Sequence, residues 1–139
     1  MSVDYRAGAA YCIAVPDGEQ VDGNSLKFAQ ALSELTGKPT PEDGDYLYEF
    51  INELYGETGD YEIDTEGDLM CGTGETFMIT VKQLPAIVAY QKYYESEFKV
   101  QPIPDEGQTA NLFGGIQRLL DKHGVTYTGP AWHVYATVR

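Results

Sequence analysis

Between Pro39 and Val81 the chain carries twelve carboxylates and not one Lys or Arg. They are Glu42, Asp43, Asp45, Glu49, Glu53, Glu57, Asp60, Glu62, Asp64, Glu66, Asp68 and Glu75. The chain as a whole has 22 acids and 9 bases, net −13, so the remaining 96 residues are almost neutral. A block of like charge is usually a solvated, unfolded tail. This one is interleaved with large apolar residues at regular intervals, which predicts an ordered segment with its acids facing outward. From Asp45 to Tyr55, Leu47, Phe50, Ile51 and Leu54 recur at helical spacing, while Glu42, Asp45, Glu49 and Glu53 fall on the opposite side. Directly after, Asp60, Glu62 and Asp64 alternate with Tyr61 and Ile63, the period of a half-buried strand. Carboxylates four apart on a helix lie roughly 6 Å apart, and alternate residues on a strand roughly 6.6 Å apart. Both spacings approach the phosphate interval of a nucleic-acid strand.

With 139 residues, 11 Tyr and 5 Phe, the composition is that of one folded domain, residues 1–139, with the acidic segment 39–81 inside it. No run of 18 apolar residues offers a membrane span. The opening residues carry Asp4 and break at Pro16, unlike a secretory signal. Two cysteines, Cys12 and Cys71, are too few for a disulfide framework. These features predict a reduced, cytoplasmic protein. A pI near 4.3 disfavours direct contact with nucleic acid or anionic membrane and favours a basic partner.

The rest of the chain predicts a strand over Ala9–Val15, with Tyr11, Ile13 and Val15 on one face and Ala10, Cys12 and Ala14 on the other. A helix capped by Asn24 or Ser25 follows, burying Phe28, Leu32 and Leu35 and stopping at Gly37. After the acidic helix and strand come a turn at Thr65-Glu66-Gly67 and a short extended piece, Leu69–Cys71, that could pair back as a hairpin. Thr76–Val81 alternates with Phe77, Ile79 and Val81 inward. A third helix is expected with Pro85 near its first turn and Leu84, Ile87, Val88, Tyr94 and Phe98 on its apolar side, and a fourth, capped by Asp105, should bury Leu112, Ile116, Leu119 and Leu120. A last strand spans Ala131–Val138, with Trp132 on the apolar face. The expected class is α+β: a two-layer sandwich of a mainly antiparallel four-stranded sheet and about four helices, arranged as a βααβ pseudo-repeat. Its second face should be open and polar, with Ala10, Cys12, Asp60, Glu62, Asp64, Thr76, Thr80, His133, Tyr135 and Thr137.

Motifs for chemistry are sparse. An EF-hand loop starting at Asp60 would need Gly and Glu where Thr65 and Cys71 stand. The turn Gly72-Thr73-Gly74 precedes a strand rather than the helix N-terminus a phosphate loop requires. Cys12, Cys71, His123 and His133 show no zinc-ligand spacing. No cofactor, metal or catalytic residue is therefore assigned, and the protein is not expected to be an enzyme.

The opening Met1-Ser2-Val3-Asp4-Tyr5, running into an alternating strand through Ile13 and Val15, resembles the start of small uncharacterised acidic proteins encoded by bacteriophages. The resemblance covers about fifteen residues and brings no catalytic residues with it. It implies a class of inhibitor that occupies the nucleic-acid site of a host defence nuclease, in the host cytoplasm. The expected function is thus an interaction protein that mimics nucleic acid before a basic nucleic-acid-binding partner, such as a CRISPR effector or restriction nuclease. Its partner-binding residues would be Glu42, Asp45, Glu49, Glu53, Glu57, Asp60, Glu62, Asp64, Glu66 and Asp68, with Tyr48 extending the apolar contact. Two alternatives are a small-molecule- or metal-binding or catalytic domain using the open sheet face near His133, and a structural or assembly protein. Neither oligomeric state nor partner identity follows from the sequence. Crowded carboxylates repel, and added salt screens them. The thermal midpoint is therefore expected to rise from low to moderate ionic strength, a dependence that differential scanning calorimetry checks.

Overall fold

The alternation around Ile13 is the middle of a longer strand, β1 (Tyr5–Pro16). The computed structural model of the chain describes residues 5–40, 49–50, 53–54, 57–67, 75–83, 87–92, 95–97 and 111–138. After β1 come α1 (Asn24–Thr36), a helical turn holding Glu49, Phe50 and Glu53, β2 (Tyr61–Gly67), β3 (Glu75–Val81), β4 (Ile87–Lys92) and β5 (Glu95–Glu97). A 3-10 turn, Asn111–Phe113, runs into α2 (Gly114–Lys122), and β6 (Thr128–Val138) follows. The class is α+β.

Among the described residues every strand pair is antiparallel, and the sheet has six strands rather than four. β6 lies along nearly all of β1, from Tyr5 opposite Val138 to Ala14 opposite Thr128. On the other edge of β1, β3 and β4 lie end to end: Ile13 faces Ile79, and Ala9 faces Ile87. Four residues of β1 thus correspond to eight of the β3–β4 stretch, an offset of four between the two registers. β2 pairs outside β3, and β5 outside β4. The sheet curls enough that β2 and β6 approach each other locally without pairing.

The expected third helix is a β4–β5 hairpin. Ile87, Val88 and Tyr90 are strand-favouring residues, and the unpaired edge of β1 at Tyr5–Ala9 supplies the ladder that a local helical spacing cannot outweigh. Among the described residues only α1 and α2 are helices longer than a turn, and the βααβ repeat falls with the third helix. The expected turn at 65–67 is strand, because β2 continues to Gly67 opposite Glu75 and takes β3 as its hairpin partner. Leu47, Ile51, Leu69–Cys71 and the Asp105 cap lie outside the described residues.

Both helices pack on one face of the sheet. Tyr11, Ile13, Val15, Phe77, Ile79 and Val81 from the strands meet Phe28 and Leu32 of α1 and Ile116 and Leu120 of α2, with Phe50, Leu54, Phe113 and Val125. The Phe28 and Phe77 rings stand 5.4 Å apart, and Tyr11 lies edge-on to Trp132 at 5.8 Å. Leu35, expected inside, is 37% exposed, since α1 turns Phe28, Ala31 and Leu32 to the core instead.

Asn24 does not cap α1. Gly23, in left-handed conformation, takes that position, and its carbonyl accepts from the Lys27 N–H. The Asn24 side chain is 1% exposed and points inward. Its Nδ2 donates to the carbonyls of Pro16 (2.5 Å) and Thr126 (3.0 Å), and the Thr126 N–H donates to its Oδ1 (2.8 Å). One amide thereby ties the end of β1, the start of α1 and the approach to β6. Gly129 is required on different grounds. It has φ +97°, and a Cβ there would stand 2.6 Å from the Cys12 carbonyl oxygen, where β1 shifts register against β6. Asn24→Ala would orphan buried backbone groups at a cost of about 1–3 kcal/mol each. Urea denaturation is expected to show a loss of roughly 3 kcal/mol, whereas Gln30→Ala on the exposed side of α1 changes stability little.

Candidate partner-binding face

Burial of neighbouring residues holds the acids of the central segment in place. Phe50 and Leu54 enter the core and leave Glu49 and Glu53 exposed on their helical turn. The connection to β2 is closed by buried Thr58, whose hydroxyl donates to the Tyr61 carbonyl (2.6 Å). Gly59 supplies the left-handed residue of that turn (φ +66°), and the Lys82 N–H donates to the Asp60 carbonyl (2.9 Å). Glu57 and Asp60 are exposed on this tight connection. On β2, Tyr61 and Ile63 pack against the core, and the Tyr61 hydroxyl donates to the Leu112 carbonyl (3.3 Å). Glu62, between them, is exposed on the face away from the helices.

These five acids therefore sit on three successive ordered elements. They do not all face one way: Glu49 and Glu53 belong to the helical layer, and Glu62 to the opposite side of the sheet. Asp64 and Glu66 occupy register positions opposite Met78 and Thr76. Glu42, Asp45, Tyr48 and Asp68 lie outside the described residues.

Among the described residues, countercharge to the segment comes from Lys38. Lys38 Nζ lies 2.6 Å from Glu57 Oε2, a pairing across the acidic segment that spacing in the sequence does not reveal. Among the described residues Glu49, Glu53, Asp60 and Glu62 have no ion-pair partner. Lys122 and His123, at the end of α2, are both engaged by Glu34 of α1: Lys122 Nζ donates to Oε1, and His123 Nε2 is 2.8 Å from Oε2. His123 is thus a link between helices, and the signal for it was its place beside Lys122 at a helix C-terminus, where positive charge is favoured. The Lys122 hydrogen bond foremost, and then that of His123, lowers the Glu34 carboxyl below its ordinary value of 4.5.

The second sheet face is not the open polar surface expected. Ala10, Cys12 and Met78 form a small buried cluster there, and Thr80 is 7% exposed. His133, opposite Ala10 in the ladder, is half-buried. Small residues on β1 let this face close, so a polar pocket does not follow from strand alternation alone. Among the described residues no three His, Cys, Asp or Glu side chains are grouped to hold a metal ion, and no helix is long and apolar enough to cross a membrane. The chain matches no protein-family model, no curated protein and no solved structure.

The Glu34 clamp has a defined pH signature. A carboxyl lowered in the folded state stabilises above its unfolded value, and that contribution disappears as pH falls through the folded value. Glu34→Gln is expected to lower the thermal midpoint at neutral pH. The gap from the unmodified protein should close as pH falls below the ordinary carboxyl value of 4.5 and through the lowered folded one, which a pH series of thermal melts checks.

Proposed function

We propose that the protein is an acidic interaction protein that engages the basic nucleic-acid-binding groove of another protein and blocks it by resembling nucleic acid. The observation that carries this reading is the exposure of Glu49, Glu53, Asp60 and Glu62 on ordered backbone, with no ion-pair partner among the described residues. Repulsion between neighbouring carboxylates on a helix costs a few tenths of a kcal/mol per pair. A cationic partner relieves it, and long-range attraction between a net −13 chain and a basic groove accelerates encounter. Glu57 contributes less, because Lys38 already neutralises it. The N-terminal resemblance to small phage proteins points to a host defence nuclease, CRISPR or restriction, as the class to screen and to the host cytoplasm as the place of action. The placement of Glu62 across the sheet from Glu49 and Glu53 implies a partner that grips the acidic segment from two sides rather than meeting a flat patch.

The test is a pull-down from host lysate at low salt with stepwise salt elution, followed by affinity measurements on the captured protein. Reversing Glu49, Glu53 and Glu62 to Lys is expected to weaken binding at least a hundredfold and flatten its salt dependence, whereas Glu57→Gln changes little. Unaltered affinity and slope in the triple variant would sink the proposal.

A further inference from the structure

Lys38 is the last cation before the acidic segment, and its main chain is held at the end of α1. Gly37, in left-handed conformation, donates its N–H to the Ser33 carbonyl. The Lys38 N–H donates to Thr36 Oγ1 (3.4 Å), and the Ser33 hydroxyl donates to the Lys38 carbonyl. Glu57 is held as well: its N–H donates to the carbonyl of buried Leu54 (2.8 Å). Between these two anchored residues Lys38 Nζ meets Glu57 Oε2 at 2.6 Å. Both side chains stay close to half exposed, at 42% and 53%, so water and ions reach the pair from outside. A pair that open holds weakly, and an arriving cation exchanges with Lys38 readily. Lys82, exposed at the other end of the segment, gives its backbone N–H to the Asp60 carbonyl and makes no ion pair among the described residues.

We infer that Lys38 is an internal competitor of the basic partner, its ammonium holding at Glu57 the place that a partner's cation takes on binding. The inference rests on the proposed function and adds to it a contact that restrains binding. Glu49, Glu53, Asp60 and Glu62 meet a partner directly, whereas Glu57 is withheld until Lys38 lets go. Exchanging one ion pair for another gains little, so Glu57 adds affinity only when Lys38 is absent.

The contacts that seat Lys38 involve only its main chain, so Lys38→Gln removes the ammonium and leaves the seating intact. The probe is a deca-arginine peptide, titrated calorimetrically into the full chain at low salt. Lys27→Gln is the charge control, because Lys27 is exposed on α1, outside every ion pair among the described residues, and its loss changes net charge equally. Lys38→Gln is expected to tighten binding about threefold beyond Lys27→Gln, the scale of an exposed ion pair. Glu57→Gln should be nearly neutral beside Lys38 and should cancel the gain when combined with Lys38→Gln. Equal affinities of the Lys38→Gln and Lys27→Gln variants overturn the inference. So does a Glu57→Gln loss of the same size with and without Lys38, or the absence of any binding of the peptide. Failure of the proposed function looks different: reversal of Glu49, Glu53 and Glu62 then leaves the affinity for the captured protein unaltered, whatever the Lys38 and Glu57 variants do with the peptide.

Discussion

Both edges of β1 are filled by hydrogen-bonded neighbours, and the remaining strands take their places from that arrangement. β6 occupies one edge, and β3 and β4 share the other in tandem. β2 and β5 are then added outside β3 and β4. β1 can serve this role because its two faces differ in bulk. Tyr11, Ile13 and Val15 fill the space beneath the helices, while Ala10 and Cys12 take little room on the other side. The four-residue offset between the β3 and β4 registers lets one edge of a single strand carry two hairpins instead of one. Asn24 secures the C-terminal end of β1, where three chain segments would otherwise leave carbonyls and an amide buried without partners.

Charge follows this architecture. The acidic segment supplies an outer strand and the connection leading into it, so its carboxylates are displayed where the sheet ends. On β2 they serve the fold as well as any partner, because charge along an outer strand discourages unwanted pairing. The ion pairs among the described residues are placed with equal economy. Lys38 meets Glu57 at the start of the connection, and Lys122 with His123 meets Glu34 on the helical layer. What remains uncompensated among the described residues is a set of acids on rigid supports, and that is the basis of the functional reading.

Much of the fold was legible locally. β1, α1, β3, α2 and β6 each carry a clear period and a clear stop, such as Gly37 after α1 and Gly124 after α2, both at positive φ. The failures share a cause: the deciding partner is distant in sequence. Ile87 and Val88 fit a helical stripe as well as a strand, and pairing with the edge of β1 at Gly8 and Ala9 settles the choice. Asn24 looks like a cap until Thr126, about a hundred residues on, supplies a better set of bonds. The Lys38–Glu57 pair and the Glu34 clamp are likewise invisible to spacing. At the candidate site, burial of Phe50 and Leu54 confirmed the apolar side of the acidic helix at those positions, whereas the closure of the second face depended on small side chains whose effect alternation does not register.

The pairing of β1 with β6 also bears on how the molecule is made. Tyr5 meets Val138, and the whole ladder joins residues more than a hundred positions apart. A ribosome releasing this chain exposes β1 long before its main neighbour exists, so the sheet cannot be completed in the order of synthesis. Folding must wait for the last strand and then proceed slowly, as topologies rich in non-local pairings do. During that interval Tyr11, Ile13 and Val15, which the finished core buries, stay open to water and to other chains.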